Sequence, residues 1–240
     1  MYALALGLAL LGLWQIAIEA QWFDPYVLPS PHAVLNALVD ERSTLLHDLG
    51  TTASEAILGL FAAIALGTLI AVAMHEWQPV RRALYPFVIA SQALPFPVLA
   101  VPLILLLGFG LAPKIAIVAI VCFFPVTINV FDGLRSADAD QRKLLRSIGA
   151  SRAQTLLRLE APAALPQSFT GMRIAAAVSV IGAVFAENSG SQSGLGHAVL
   201  SSALDPDFTF AVTAVLFALA LALYGAFALA ERLLITWKEP

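Results

Sequence analysis

Charged residues are scarce in this chain, and their scarcity limits the classes of protein to which it can belong. Only 12% of its 240 residues are Asp, Glu, Lys or Arg, whereas 60% are hydrophobic and the mean hydropathy is +0.85. Soluble domains carry about 25% charged residues, so a surface exposed to water cannot be built from this composition. The net charge of -3 also argues against nucleic-acid binding. A lipid bilayer is the solvent that fits the composition.

Cysteine and histidine are also rare, which excludes most metal and disulfide chemistry. Cys122 is the only cysteine and lies in an apolar run, so it predicts a small buried residue rather than a disulfide or a thiolate ligand. The four histidines stand far apart without a carboxylate at metal-ligand spacing, and no metal site is predicted. They are His32, His47, His75 and His197.

Lysine is scarce as well, and the positions of the three lysines exclude a P-loop ATP site within the chain. A phosphate-binding P-loop needs a Gly-Lys pair, but Lys114, Lys143 and Lys238 follow proline, arginine and tryptophan. No Ser/His, paired Asp or His/Glu set lies at mid-helix depth either. The sequence therefore predicts neither an enzyme nor a bound cofactor in this chain.

Six long apolar segments are present, each close to the roughly 20 residues of a transmembrane helix. Backbone polar groups cannot stay unpaired in hydrocarbon, so the segments predict an all-α polytopic bundle, one domain over residues 1–240. The first segment lacks the basic start and cleavage site of a signal peptide and is interpreted as a retained helix. The predicted spans are Tyr2–Ile18, Thr52–Met74, Ala83–Leu107, Pro113–Phe131, Phe169–Ala186 and Phe208–Ala230.

Basic residues are distributed unevenly between the loops, which indicates an orientation. They follow the second, fourth and sixth spans, whereas acidic residues dominate the other loops. The positive-inside rule therefore predicts that both termini and the loop 132–168 are cytoplasmic. The predicted cytoplasmic side carries Arg81, Arg82, Arg135, Arg142, Lys143, Arg146, Arg152, Arg158, Arg232 and Lys238; the other side carries Arg42, Lys114, Asp24, Asp40, Glu41, Asp48, Asp205 and Asp207.

Small and polar residues within the spans predict helix packing and a path. Glycine or alanine recurs every fourth position over 59–71 and 214–230, which favours close helix packing. Prolines and polar residues cluster in the third span, and a small-residue stripe on the fifth ends in a carboxylate. For Ser91 and Ser179, a hydrogen bond to a neighbouring helix is as good an explanation as a role in the path. The candidate path residues are Ser91, Gln92, Pro95, Asn129, Ser179 and Glu187.

The loop 132–168 is long, basic and hinged. It predicts two short helices joined at Gly149-Ala150-Ser151, with Ser151 as a cap. Pro162 and Pro166 are expected to end the second helix. Leu144, Leu145 and Ile148 share one face of the first helix, which could lie on lipid or dock into another protein; the residues favour neither.

The spacing within this loop resembles the cytoplasmic loop of bacterial ABC-importer permeases. That pattern reads E-A-A, three residues, Gly, nine residues, I-x-L-P. Here Gly149 is followed after nine residues by Leu159-Glu160-Ala161-Pro162, while Lys143-Leu144-Leu145 replaces E-A-A. Other stretches are similar to the nitrate, sulfonate, taurine and thiamine-precursor branch, including "LPSPHAVLNAL", "CFFPVTINVFDGLRS" and "SGLGHAVL".

The resemblance implies a type I importer permease bundle in the bacterial inner membrane. Its expected partners are an ATPase dimer that carries ATP and Mg²⁺, and an extracytoplasmic binding protein. A second permease copy is also expected, because six helices alone enclose little. The implied cargo is a small organic nutrient, first a pyrimidine thiamine precursor and then a sulfonate, taurine or nitrate. The residues implied in ATPase coupling are Leu144, Leu145, Ile148, Gly149, Ala150, Ser151, Arg152 and Pro162.

Two other function classes compete with the importer. A gradient-driven secondary transporter would be expected to show inverted repeats or charge relays, but no repeat and no mid-membrane ion pair are evident in the sequence. A membrane scaffold would have no use for the prolines and polar residues of the third span. The sequence therefore favours the importer over both alternatives.

Overall fold

The computed structural model of the chain describes residues 2–24, 26–93 and 95–236, and these residues form a bundle of helices. Lys238, one of the residues used for the predicted orientation, lies outside them. A 3-10 turn at Ser91–Ala93 and a π-helical turn at Leu156–Glu160 connect successive helices. In chain order the helices are α1 (Tyr2–Glu19), α2 (Pro31–Asp40), α3 (Arg42–Glu76), α4 (Gln78–Ala90), α5 (Phe96–Leu107), α6 (Leu111–Arg135), α7 (Ala139–Ser147), α8 (Arg152–Thr155), α9 (Ala161–Glu187), α10 (Leu195–Ser201) and α11 (Pro206–Leu234).

The described helices include four that are long and apolar enough to cross a membrane. They are α3, α6, α11 and the continuous helix Arg152–Glu187, and the bent pair α4–α5 raises the number to five. The first helix counts as a shorter apolar helix over Ala5–Glu19. The all-α, multi-span prediction is therefore confirmed, although the predicted number of six spans exceeds the four or five found by length and composition.

The predicted third span, Ala83–Leu107, is broken rather than continuous. Its two helices, α4 and α5, meet at an angle of 109°. Pro95 caps α5 in an extended conformation and Pro97 lies in its first turn. Proline lacks the N–H that would continue a preceding helix, while its fixed φ suits the first turn of a new one. Pro95 and Pro97 therefore fit the start of α5 after the break.

The core of the bundle is formed by α3, α6 and α9, which pack closely because small residues face one another. A Cβ atom on Gly67 of α3 would lie 2.9 Å from Thr127 Oγ1 of α6, and one on Gly171 would lie 2.6 Å from Asn129 Cβ. All four small residues at 59, 63, 67 and 71 are buried. The small-residue positions of the second predicted span are thus packing positions within this chain.

The second small-residue seam, on α11, is used differently. Ala214, Ala218, Ala222 and Ala226 are exposed, and only Ala211 and Val212 of this helix are buried. A seam that allows close approach of helices therefore lies on the outside of the folded chain. Close packing at these alanines therefore requires a helix from another protein chain.

The bundle has two ends, which differ in the residues that they carry. The helices α3 and α6 run parallel, because Gly59 lies against Val118 and Gly67 against Val126. At one end α3 finishes at Glu76, α6 finishes at Arg135, and α7 and α8 follow; we call it the basic end. At the other end α6 begins, and Lys114 Nζ lies 2.6 Å from Glu55 Oε1 of α3. We call this the opposite end.

Candidate functional site

The hinged loop folds into two helices at the basic end, as its capping residues predict. Asp138 accepts hydrogen bonds from the backbone N–H groups of Asp140 and Gln141 at the start of α7. Gly149 has φ +80°, a left-handed conformation that favours glycine. Ser151 then forms a reciprocal capping box with Gln154 at the start of α8. The turn between the two helices is therefore fixed by local interactions.

The apolar face of α7 points away from the rest of the chain. Leu144 is 63% exposed and Ile148 is 72% exposed, while Leu145 and Ala150 are half-buried. Side chains of this size are normally removed from water, and exposed apolar groups held on ordered elements mark contact sites. We call Leu144, Leu145 and Ile148 the α7 apolar face.

The helix after the hinge does not end at its prolines, which corrects the sequence-based expectation. Arg152–Glu187 is one continuous helix of 36 residues. Its π-helical turn Leu156–Glu160 stands immediately before Pro162, and the N–H of Ala161 reaches back to the carbonyl of Leu156. Proline has no backbone N–H to donate, and the wider π-helical turn accommodates this missing hydrogen bond. The helix therefore continues into the bundle.

A buried carboxylate, Glu160, joins this helix to its neighbours. It is 1% exposed and accepts hydrogen bonds from His75 Nε2 at 2.9 Å and Arg142 Nε at 2.7 Å. Arg152 Nη1 approaches it at 2.8 Å. A buried charge is retained only when it is paired and hydrogen-bonded, and here the partners come from α3, α7 and α8.

A second carboxylate, Glu76, extends the cluster. Arg152 Nε donates to its Oε2 at 2.8 Å. The candidate ligand atoms of His75, Glu76 and Glu160 lie within 4.8 Å of one another, a spacing that a metal ion could bridge. Arg142 and Arg152 already hydrogen-bond to these carboxylates, so a metal would have to displace guanidinium groups. The arrangement serves to tie segments together.

Sequence reasoning missed this cluster because its members are distant along the chain. His75 and Glu160 are 85 residues apart in the sequence. The available signal was a glutamate at the start of a long apolar helix, since an ionisable residue there needs a partner. Only the fold shows which residue supplies it.

The candidate path residue Glu187 belongs to a polar cluster at the opposite end. It is 1% exposed, and Thr52 Oγ1 donates to its Oε1 at 2.7 Å. Its other oxygen accepts from the N–H of Gly196, and the N–H of Leu195 donates to Thr52 Oγ1 at 2.8 Å. Glu187 and Thr52 therefore fix the loop 188–196 against α3.

Three further hydrogen bonds strengthen this connection. Lys114 Nζ donates to Glu55 Oε1 at 2.6 Å and to Ser191 Oγ at 2.7 Å. The N–H of Gly194, at φ +106°, donates to Asp48 Oδ1 at 2.9 Å. The polar loop 188–196 is thus held by side chains of α3 and α6.

Three other path candidates lie at the break between α4 and α5. Ser91 Oγ donates to the carbonyl of Val88 at 2.7 Å, whereas Gln92 and Pro95 are exposed. The polar groups of this break face outward from the single chain. These residues can line a translocation path only if another protein surface lies opposite them.

Asn129 and Ser179 lie instead between the core helices. Asn129 Nδ2 donates to the carbonyl of Pro125 at 2.7 Å. Ser179 is fully buried and its hydroxyl donates to the carbonyl of Ala176 in its own helix. The six path candidates are therefore distributed over the break, the helix interface and the opposite end, and one chain does not bring them onto a common surface.

Comparison with known proteins gives a match over most of the chain. Residues 43–234 match the family described as "Binding-protein-dependent transport system inner membrane component". The formylaminopyrimidine transport permease protein ThiX of Halalkalibacterium halodurans is 33% identical over 235 residues, covering 97% of this chain and 94% of that protein. The taurine transport system permease protein TauC of Escherichia coli K12 is 31% identical over 238 residues, covering 95% and 86%.

Solved structures show the same fold. The inward-facing MetNI methionine ABC transporter gives a TM-score of 0.73 at 18% identity, covering 80% of this chain and 97% of the other. An amino acid ABC transporter crystallised with histidines gives 0.66 at 15% identity, covering 81% and 96%. The family match and the two relatives above 30% identity show that this chain belongs to the binding-protein-dependent transport system inner membrane components, a family of ABC-importer permeases.

Proposed function

We propose that this chain is the membrane-spanning subunit of an ATP-driven importer, with the basic end in the cytoplasm and both termini on that side. ATP would be hydrolysed by separate ATPase subunits, and cargo would arrive from an extracytoplasmic binding protein. The main support for this proposal is that the α7 apolar face is exposed, and that Arg142 of the same helix is hydrogen-bonded to Glu160 of the long helix Arg152–Glu187. Such a face needs an apolar groove on a partner.

The energetics of the α7 apolar face favour burial of its side chains against another surface. Removing a leucine or isoleucine side chain from water contributes roughly 1.5–3 kcal/mol, and Leu144 and Ile148 stand side by side, one helical turn apart. The turn at Gly149 and the cap at Ser151 hold them in place, so little conformational entropy is lost on docking. We assign the coupling contact to this face together with Gly149–Arg152.

Assembly with an ATPase tests this proposal. The full chain is co-expressed with its candidate ATPase subunit and purified through a tag on the permease. We expect co-purification, and we expect the double variant Leu144→Asp/Ile148→Asp to lose it while remaining inserted. Lys143→Gln/Arg146→Gln alters the neighbouring polar face and serves as the matched control. Normal assembly of the aspartate variant would contradict the docking surface.

For the cargo we propose a small, mostly neutral heterocycle of the pyrimidine thiamine-precursor type. The candidate path residues Ser91, Gln92, Asn129 and Ser179 are polar but uncharged, so they offer no fixed counter-charge to a bare anion. The formylaminopyrimidine permease among the relatives supports this choice. A sulfonate or taurine is the second candidate, because a taurine permease is also similar over nearly the whole chain.

Cargo is tested on the binding protein that docks on the permease. Calorimetry with formylaminopyrimidine, taurine and nitrate, followed by uptake into proteoliposomes that contain the assembled importer, distinguishes the candidates. We expect binding and uptake of the pyrimidine. Tight binding of taurine without pyrimidine binding would replace the cargo and leave the permease role intact.

A further inference from the structure

A groove at the basic end has a charged half and an apolar half. The charged half is a cavity of about 470 Å³ whose lining includes Arg81, Arg135 and Arg146. It continues into a second cavity of about 380 Å³ that shares Arg81 and Arg135 and is completed by Arg82 and by three largely apolar residues, Tyr85, Pro86 and Phe131. We call the two cavities together the basic groove. Its two shared arginines lie where the charged and the apolar halves meet.

The charged half carries an excess of positive charge that its own carboxylates do not neutralise. Its lining holds five arginines against two glutamates. Glu76 and Glu160 are already hydrogen-bonded to Arg142, Arg152 and His75. Among the ion pairs found within residues 2–24, 26–93 and 95–236, none includes Arg81, Arg135 or Arg146. Three guanidinium groups therefore remain to bind an anion.

The apolar half is built from aromatic rings. Tyr85 and Phe131 approach with ring centroids 5.9 Å apart, and the Arg135 guanidinium lies 5.4 Å from the centroid of Phe131. Apolar groups thus lie directly beside the cationic groups, and Tyr85 and Pro86 belong to α4, one helix of the bent pair that could cross the membrane.

We propose that the basic groove binds the phosphodiester headgroup of an anionic phospholipid. The phosphate would lie between Arg81 and Arg135, because the planar guanidinium fork matches phosphate oxygens in two parallel hydrogen bonds. The glycerol and the start of an acyl chain would run along Tyr85, Pro86 and Phe131. Basic pockets between membrane helices are known to accept lipid headgroups of this class. A free phosphate would leave the apolar half unused.

The site requires only that the chain lies in a membrane, which its family membership establishes. It does not depend on the cargo or on the ATPase contact. If the proposed cargo or the proposed ATPase contact were wrong, the lipid site would be unaffected. If the lipid site were wrong, the cargo and the ATPase contact would be unaffected.

Native mass spectrometry of the full chain in detergent tests the proposal, with dioleoyl phosphatidylglycerol and dioleoyl phosphatidylcholine as probes. We expect preferential retention of the phosphatidylglycerol. The variant Arg81→Gln/Arg135→Gln should weaken its binding by about 25-fold, since each arginine near an anionic lipid contributes roughly fivefold. Arg158→Gln/Arg232→Gln makes the same change of charge at exposed residues outside the groove and should leave binding nearly unchanged. Thermal unfolding verifies that both variants are folded.

Four outcomes would overturn the lipid site. Equal retention of the two lipids, or equal loss in both double variants, would indicate adsorption without a site. Binding of inorganic phosphate or glycerol 3-phosphate as tight as that of phosphatidylglycerol would assign the arginines to a soluble anion. If Arg81→Gln/Arg135→Gln instead lost the ATPase subunit and kept its lipid, the groove would be a protein interface.

Discussion

At the scale of single residues, Glu160 holds together the basic end. Its two oxygens receive hydrogen bonds from residues of two separate segments, His75 and Arg142. Breaking a buried ion pair by removing one partner leaves the other charges uncompensated. The stability of this end therefore depends strongly on one carboxylate.

We predict that Glu160→Gln destabilises the protein by about 3 kcal/mol, the lower end of the range for buried pairs, because Arg152 is 43% exposed and keeps contact with water. Asp140→Asn removes a carboxylate from an exposed pair with Lys143 and should change stability little. Thermal unfolding of both variants in detergent measures the difference. Equal midpoints would show that the cluster does not stabilise the fold.

Gly149 offers a second prediction at this scale. A Cβ atom there would meet open space, so only its φ of +80° restricts substitution. Gly149→Val should destabilise the left-handed conformation of this turn by about 1–2 kcal/mol. It should leave the protein inserted but lower ATP-dependent uptake in proteoliposomes. Gly149→Asn, which tolerates the left-handed conformation, should retain most of the uptake. Identical uptake by the valine variant would argue against the coupling role.

At the scale of elements, apolar length predicted the helices but not their ends or breaks. The runs around Ala63, Cys122 and Ala176 form buried helices as expected, because hydrophobicity alone determines them. The chain breaks between α4 and α5 at Pro95, whereas Pro162 and Pro166 lie within a continuous helix. A π-helical turn precedes Pro162 and accommodates its missing N–H, and the sequence alone does not reveal which prolines interrupt a helix.

In the candidate site too, local features could be predicted from the sequence, but contacts between distant residues could not. Capping chemistry at Asp138, Gly149 and Ser151 is local, so the hinge was predictable from neighbouring residues. Partners of buried charges are not local. Glu187 meets Thr52 across 135 residues of sequence, and helix packing alone creates that contact.

The loop 188–196 leads to a prediction about one element. Thr52 is fully buried, and its hydroxyl both donates to Glu187 and accepts from the N–H of Leu195. Thr52→Val keeps the shape but leaves both partners unsatisfied, which should destabilise by about 1–3 kcal/mol. Faster hydrogen exchange should appear at the Leu195 amide.

Thr51→Val is the matched control for this variant. Thr51 is half-buried, and its hydroxyl reaches the carbonyl of His47 on its own helix. It should leave the exchange rate of the loop unchanged. Equal exchange in the two variants would show that the hydroxyl of Thr52 does not fix the loop.

At the scale of the whole molecule, the seam on α11 indicates how two chains could associate. The small residues of α3 are buried against α6 within the chain, so they are unavailable to a partner. Ala214, Ala218, Ala222 and Ala226 remain exposed. We propose that this seam contributes to a homodimer, in which the break between α4 and α5 could also find an opposing surface.

Cross-linking in native membranes tests the homodimer. In a Cys122→Ala background, Ala218→Cys or Ala222→Cys should form a disulfide-linked dimer on mild oxidation. Leu66→Cys, at an exposed apolar position of α3, should remain monomeric. Dimers from Leu66→Cys alone would place the interface elsewhere, and monomer from every variant, with transport intact, would contradict a dimer.

The continuous helix Arg152–Glu187 has a mechanical consequence. Its 36 residues form a rod of roughly 54 Å at 1.5 Å per residue, which begins beside the hinge and ends on the carboxylate that holds the loop 188–196. We expect a tilt of this helix at Arg152 to move that loop directly, because no loop interrupts the helix between them. We also expect bending to occur first at the π-helical turn, where Glu160 is hydrogen-bonded to His75 and Arg142. Loss of those hydrogen bonds should therefore weaken the mechanical connection between the two ends of the protein.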